Sequence, residues 1–229
     1  MEEKIYQLSK VMKKMTPEEM FHIGPIPVDS TVVSQWIAML VLFGLVFFAT
    51  RKINTKPKGA QTVLELIMQF FYGVMDPSLG KENRKYLPLV ASVGLFILTM
   101  NLLWFIPGLI PPTTDLSTTF GLALATIIIV NVIGIKKKGI KGYVHHFMEP
   151  TPVLAPLNII EEFVKPVSLA LRLFGNMFGE KVVVTILFIL VPLLVPVPVM
   201  LLGVLMGGIQ AFVFTLLTVT YLTTSLKGH

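Results

Sequence analysis

Five long apolar segments place the strongest constraint on what this chain can fold into. They lie at residues 32–51, 86–110, 117–135, 156–191 and 197–224 of a 229-residue chain. About 18 consecutive apolar residues are enough for a helix to cross the hydrocarbon layer of a bilayer. The segments are continuous and do not alternate with a period of two, which disfavours β-strands. The sequence therefore predicts an all-α integral membrane protein, with five membrane-crossing helices in a single domain.

The composition favours the same class. Hydrophobic residues make up 54% of the chain and charged residues 14%, against roughly 25% charged in soluble domains. The net charge of +6 comes largely from Lys and Arg in short loops beside apolar segments. We therefore assign it to topology and lipid headgroups, and we expect no nucleic-acid partner. The sequence has no cysteine and no H-E-x-x-H motif, so we expect neither a metal site nor a cofactor.

The positions of Lys and Arg predict how the chain crosses the membrane. Basic residues cluster at 51–58, 81–85 and 136–141, and short basic loops stay in the cytoplasm. The loop between the second and third spans has Asp115 as its only charge, which places it on the other side. Five crossings then leave the N-terminus outside and the C-terminus in the cytoplasm. Residues 1–30 are expected to form a tail in which a helix begins at Thr16.

Residues 60–75 predict an amphipathic helix that is too short to span the membrane. Its apolar residues recur every three or four positions: Val63, Leu64, Ile67, Phe70, Phe71 and Val74. We place this helix at the cytoplasmic membrane surface, and packing against other subunits is the competing interpretation.

A single Arg lies in the middle of the fourth apolar segment. Arg172 is flanked by Leu171, Leu173 and Phe174, and a guanidinium stays charged at any workable pH. A charge at mid-membrane is unfavourable, and such a residue usually faces a bundle interior or a watery cavity on an ion pathway. The alternatives are that Arg172 extends to the lipid headgroups or pairs with Glu180.

Further polar residues accompany Arg172 along the predicted helix or in the last apolar segment: Ser168, Asn176, Glu180 and Gln210. We assign Glu180 to an aqueous path, with an ion pair to Lys181 or to a partner chain as the alternative. Gln210 suits either orienting Arg172 or a water molecule, or hydrogen bonding to another helix.

Other polar residues leave the choice between an aqueous path and a structural role open: Ser168, Asn101, Asp115, Glu161 and Glu162. For Asn101 we favour an interhelical hydrogen bond. For Glu161 and Glu162 we prefer a structural role: they lie near a helix start, where negative charge interacts favourably with the positive end of the helix dipole.

Several segments resemble one protein family in the same order along the chain. The run S-L-A-L-R-L-F-G-N-M at 168–177 resembles the signature of subunit a of rotary F-type ATP synthases, the membrane stator of the Fo sector. Similar segments are M-N-L-L-W-F-I-P-G, P-T-T-D-L-S-T-T, K-K-K-G-I-K-G, P-L-N-I-I-E-E-F and I-Q-A-F-V-F-T-L-L-T-V-T-Y-L. The resemblance covers most of the chain and implies that the last two helices form a strongly tilted hairpin against a ring of c subunits.

The resemblance also implies a function. The chain would be a non-catalytic stator in which two offset half-channels load and unload carboxylates of the c-ring, so that H⁺ or Na⁺ flow drives rotation. The implied partners are the c-ring, the peripheral stalk subunit b, other synthase subunits and membrane lipid, in the plasma membrane of a bacterium. The family's ion-translocating positions correspond to Arg172, Asn176, Glu180 and Gln210.

The sequence departs from the family pattern at three places. Many members have one more residue between the Asn and the acid, so Glu180 is displaced by one position. Gly203 stands where some members carry a His, and Trp104 where some carry an Asp. Two other classes fit the sequence less well. A secondary transporter with Arg172 in an anion site is disfavoured by the lack of internal repeats, and the sequence contains no motif of an intramembrane hydrolase.

Overall fold

The computed structural model describes residues 19–23, 26–51, 59–106, 109–147, 155–190 and 196–227. A β-hairpin (β1 Glu19–Ile23, β2 Ile26–Asp29) precedes six α-helices. The helices are α1 (Ser30–Thr50), α2 (Ala60–Leu79), α3 (Leu87–Leu102), α4 (Leu116–Phe147), α5 (Ala155–Leu190) and α6 (Pro196–Lys227). Short 3₁₀ segments occupy Lys81–Tyr86, Leu103–Phe105 and Pro112–Thr114.

Within the described residues, five helical segments are long and apolar enough to cross a membrane: α1, the stretch from Lys81 to the end of α3, α4 as far as Gly139, α5 and α6. This confirms the predicted all-α membrane architecture. The side of the membrane on which each end lies, and the tilt of α5 and α6, remain predictions.

Three boundaries differ from those expected. Glu19 begins a strand where a helix was expected, and residues 16–18 lie outside the described part of the chain. Helix α3 ends at Leu102, and a 3₁₀ segment follows it to Phe105. Helical structure stops there because Ile106 precedes Pro107 and takes the extended dihedrals favoured before proline, φ −89° and ψ 110°. Helix α4 continues past residue 135 to Phe147, with a break at Gly139, whose φ of 75° is one that glycine adopts without strain.

Helix α2 packs against other helices of the same chain. Phe71, Met75 and Leu79 are buried in a cluster with residues of α3, α4 and α6. Val63 and Phe70, expected on the same apolar side, are more than half exposed. The inward face is therefore rotated from the one that the spacing suggested, and the location of α2 at a membrane surface remains a prediction.

An ion pair fastens the end of α2 to the segment that precedes α3. Arg84 donates to both carboxylate oxygens of Asp76, at 3.0 and 2.5 Å, and its guanidinium lies 4.4 Å from the centre of the Tyr72 ring. These hydrogen bonds lower the pKa of the Asp76 carboxyl. The pair is exposed, so it orients the two segments more than it stabilises them.

Helix α6 lies against both α3 and α5 and runs antiparallel to each. Lys165, Asn176 and Glu180 of α5 meet Tyr221, Gln210 and Gly203 of α6, in reverse order along the two helices. Against α3, Gly207 meets Asn101 and Thr215 meets Gly94. Helices α5 and α6 therefore form an antiparallel hairpin, and α6 is the shared wall of the bundle.

The contact at Gly94 leaves no room for a side chain. A Cβ there would overlap the Thr215 hydroxyl and lie 3.1 Å from the Phe71 ring. The hydroxyl is held in place because it donates to the carbonyl of Ala211 at 2.8 Å. The absence of a side chain at residue 94 thus lets α2, α3 and α6 meet.

We expect Gly94→Ala to lower the free energy of unfolding by about 1–3 kcal/mol, because the new methyl must displace Thr215 or Phe71. Thermal unfolding in detergent is the measurement. Gly44→Ala is the matched control, since a Cβ there meets nothing within 4 Å. Adding Thr215→Ala to Gly94→Ala should recover part of the loss, and equal midpoints for Gly94→Ala and Gly44→Ala would contradict this packing.

Candidate functional site

Arg172 lies on the outer surface of α5. The buried side of this helix follows helical spacing through Leu169, Leu173 and Met177, whereas Arg172 and its neighbour Leu171 are exposed. Arg172 thus does not face the interior of this bundle. In the described part of the chain no ion pair joins it to Glu180. The guanidinium is therefore accessible to a molecule that packs beside α5.

Asn176 and Gln210 are brought together one turn from Arg172. Asn176 Nδ2 donates to Gln210 Oε1 at 2.8 Å, a helix–helix hydrogen bond that is one of the two roles considered for Gln210. Gln210 is only 3% exposed. Its remaining polar atom, Nε2, is buried and has no hydrogen-bond partner. The bond orients the Gln210 amide so that its donor group faces the interior.

Asn101 makes the interhelical hydrogen bond predicted for it. Its Nδ2 donates to the backbone carbonyl of Gly207 at 3.0 Å, and its Oδ1 is buried without a partner. Gly207 exposes this carbonyl because no side chain covers it. Gly207 and Gln210 are one turn apart on α6, so a polar belt (Asn101, Gly207, Gln210 and Asn176) crosses from α3 over α6 to α5.

Glu180 packs into a notch on α6. Its carboxylate occupies the space that a Cβ at Gly203 would need, and its buried Oε1 has no hydrogen-bond partner. Eight residues separate Glu180 from Arg172, which is about 12 Å along a helix. Gly203, which the sequence showed only as a departure from the family pattern, therefore leaves the space that this carboxylate occupies.

Glu161 and Glu162 lie on the other side of Arg172 along α5 and pair with a lysine. Lys165 Nζ is 3.5 Å from Glu161 Oε1 and 2.9 Å from Glu162 Oε2, and it lies 5.4 Å from the centre of the Tyr221 ring. Helix α5 begins at Ala155 and has no acid in its first turn, so an ion-pair cluster takes the place of the helix-dipole role expected for the two acids.

Tyr143, in the part of α4 beyond Gly139, comes near this cluster. Burial and the charge of Glu162 raise the pKa of Tyr143 to about 12, so its hydroxyl stays protonated at physiological pH. The extension of α4 thus reaches the beginning of α5.

The remaining candidates lie apart from the polar belt. Asp115 accepts hydrogen bonds from the backbone N–H of Ser117 at 3.3 Å and from the hydroxyls of Ser117 and Thr118 at the start of α4. Ser168 is half-buried one turn before Arg172. The structure therefore places Asp115 as a helix cap and leaves Ser168 as a neighbour of Arg172.

Sequence reasoning considered Lys181 only as an ion-pair partner of Glu180 and overlooked Tyr221. Lys181 is only 7% exposed, on the buried side of α5 that also carries Met177 and Val184. Tyr221 meets Lys165 across the hairpin, a contact that no local pattern reveals.

Comparison with known proteins gives consistent matches. Residues 32–223 match the family model described as ATP synthase A chain. The chain is 60% identical over 218 residues to ATP synthase subunit a of Moorella thermoacetica, covering 95% of this chain and 100% of that protein. It is 44% identical to ATP synthase subunit a 3 of Pelobacter propionicus (84% and 85% covered). It is 42% identical to ATP synthase subunit a 1 of Syntrophotalea carbinolica (86% and 85% covered).

The notch predicts energetic coupling between Glu180 and Gly203. We expect Gly203→Ala to destabilise the protein, because the new Cβ must displace the carboxylate, and to have little effect when Glu180→Ala is already present. The coupling from the double-mutant cycle should be about 1–3 kcal/mol by thermal unfolding. Gly208→Ala on the same helix, where a Cβ meets nothing within 4 Å, is the control. If Gly203→Ala destabilised the protein equally in both backgrounds, the Glu180 carboxylate would not occupy the space beside Gly203.

Proposed function

Because the chain belongs to the ATP synthase A chain family, we propose that Arg172 is the fixed charge past which rotor carboxylates exchange their ion. Family membership makes the chain an integral membrane subunit of the Fo sector of a bacterial ATP synthase, with a part in ion transport and other synthase subunits as its partners. It also argues against the alternative of a secondary transporter with Arg172 in an anion site.

The exposure of Arg172 is the observation that carries the proposal. Its own side of α5 carries Ser168 and Asn176, and the apolar residues Val167, Leu171 and Phe178 are exposed on the flanking surface, so a cation stands on a largely apolar helix. Facing lipid, a mid-membrane Arg is unfavourable by about 2.5–3.5 kcal/mol or more. A partner surface with a negative charge removes that penalty, and we assign this surface to a ring of c subunits carrying carboxylates.

A fixed cation beside a moving carboxylate can couple ion flow to rotation. It repels a passing cation, which blocks a continuous leak, and it stabilises the carboxylate once its ion has left. The attraction is transient, since the next rotor carboxylate replaces the last. Each elementary charge that crosses releases about 2.3 kcal/mol per 100 mV of membrane potential, which becomes rotation without covalent chemistry on this chain.

Polar groups on the two sides of Arg172 support two offset half-channels. We assign Glu180, Gln210 and Asn101 to the non-cytoplasmic half-channel, because each has a buried polar atom that lacks a protein partner. Such atoms are normally satisfied by ordered water. We assign Glu161 and Glu162 to the cytoplasmic side, about three helical turns from Arg172. Neither assignment distinguishes H⁺ from Na⁺.

The proposed topology places the start of α4 outside and Lys138 in the cytoplasm. In this cysteine-free chain, Ser117→Cys should react with an impermeant thiol reagent added to intact cells, and Lys138→Cys only in inverted vesicles. The charge distribution of the loops is the reason. Labelling of both positions from the same side would overturn the five-crossing arrangement with the N-terminus outside.

We expect Arg172→Ala to abolish ATP synthesis driven by an ion gradient and to let ions exchange passively through assembled Fo. Arg172→Lys should lower coupled synthesis at least about tenfold, because an ammonium holds water more tightly and lacks the planar fork of a guanidinium. Flux and ATP synthesis are measured in vesicles under an imposed potential, with Arg51→Ala as the matched control. Normal coupled synthesis by Arg172→Ala, in complexes shown to contain the subunit, would refute the mechanism.

A further inference from the structure

A second cationic side chain lies inside the span that carries Arg172. Lys181 follows Glu180 on α5 and is only 7% exposed, on the buried side of the helix that also carries Met177 and Val184. Ionisable side chains are rare inside membrane spans, and by default they mark an ion path. The proposed function uses the exposed guanidinium of Arg172 and gives no task to this buried amine.

Lys181 lies near groups that we assign to the non-cytoplasmic half-channel. The carboxylate of Glu180 fills the notch at Gly203. Helix α5 also packs against the Pro112–Thr114 segment, where, among the described residues, Thr113 Oγ1 is buried without a hydrogen-bond partner. Because consecutive Cα atoms are about 3.8 Å apart and consecutive side chains leave a helix about 100° apart, an ammonium and a carboxylate at positions 181 and 180 are separated by about 10 Å or less.

An ammonium at this distance acts on every cation that reaches Glu180. With the effective dielectric constant of a protein interior, a fixed unit charge at about 10 Å lowers the occupancy of a site by a monovalent cation roughly tenfold. Fixed charges of this kind exclude ions of the same sign from channels. Arg172 lies nine residues earlier, about 13 Å along α5, so Lys181 acts on an entering ion before the rotor does.

A proton can pass a lysine where a metal cation cannot. The ammonium transfers a proton through water to the Glu180 carboxylate, which leaves a neutral amine and a carboxylic acid. The amine then takes a proton from a hydronium ion on the outer side and releases water, so the ammonium is restored. Lysine can exchange its proton in this way, whereas arginine stays charged. A sodium ion has no such exchange and must carry its charge past the ammonium.

We propose that Lys181 is a selectivity residue of the non-cytoplasmic half-channel, where its buried amine admits protons and excludes Na⁺ and other metal cations. The inference rests on the proposed function and names the ion that the proposed function leaves open. It gives the two cations of α5 different tasks: Arg172 separates the half-channels, and Lys181 selects the ion that enters one of them.

Ion competition in vesicles with assembled Fo tests the charge. Proton flux through the wild-type complex should be the same with and without external Na⁺. In Lys181→Met, which keeps a similar volume but lacks the charge, external Na⁺ should lower proton flux severalfold, and removal of Na⁺ should restore it. Lys138→Met is the matched control and should stay insensitive to Na⁺, because Lys138 is a half-buried lysine that donates to the Thr224 carbonyl near the opposite end of α6.

A second variant separates exclusion from proton exchange. Lys181→Arg keeps the charge, so proton flux should stay insensitive to Na⁺, but a guanidinium does not release its proton, so the flux itself should fall severalfold. A merely structural lysine would instead make Lys181→Met assemble less Fo, with no new Na⁺ sensitivity in the flux per assembled complex. That result would overturn the role of Lys181 in selectivity.

The outcomes separate ion selection from the proposed function. If a Na⁺ gradient drives ATP synthesis by the wild-type complex in the presence of a protonophore, Lys181 does not exclude Na⁺ and the inference is wrong. That result leaves the proposed function intact as long as Arg172→Ala still uncouples vesicles in the same assay. Normal coupling in Arg172→Ala vesicles would instead remove the proposed function itself.

Discussion

The rest of the structure depends on the polar contacts that α6 makes with α3 and α5. In a membrane interior every buried donor and acceptor needs a partner within the protein or a bound water. Asn101 meets this need at the bare carbonyl of Gly207, and Asn176 meets it at the amide of Gln210. Each bond is worth only about 1 kcal/mol, but a one-residue slip would rotate a partner by about 100° and break it. The belt therefore sets the register of three helices.

The belt lies between two places where the isolated chain is incomplete. On one side Arg172 stands exposed on α5, with apolar residues on the flanking surface. On the other, residues at the start of α1, around the end of α3 and in the turn before α4 hold buried polar atoms without partners. In a membrane an exposed charge is stabilised by a neighbouring protein surface or by water, whereas buried polar atoms without partners are normally satisfied by ordered water. The two deficits therefore differ in kind.

Sequence-based prediction succeeded where a single segment decides the outcome. The five crossing helices follow from apolar runs that match the bilayer thickness, and the hydrogen bond of Asn101 follows from the penalty on a lone amide there. Prediction was less accurate where packing against neighbouring helices decides where a helix ends or which face it buries. Helix α4 continued beyond its apolar run to Phe147, and Phe70 of α2 turned outward while Phe71 packed against the bundle.

The sequence by itself determined the membrane class, the family and the position of Arg172 within an apolar segment, because these depend on composition, run length and a local signature. Only the tertiary structure decided which polar groups meet. Gln210 finds Asn176 across 34 residues, Gln35 finds Thr118 across 83, and Asn101 finds Gly207 across 106. Helical spacing tells which residues share a side of one helix. It contains no information on which helix that side faces, since rotation and register are set by packing among all the helices at once.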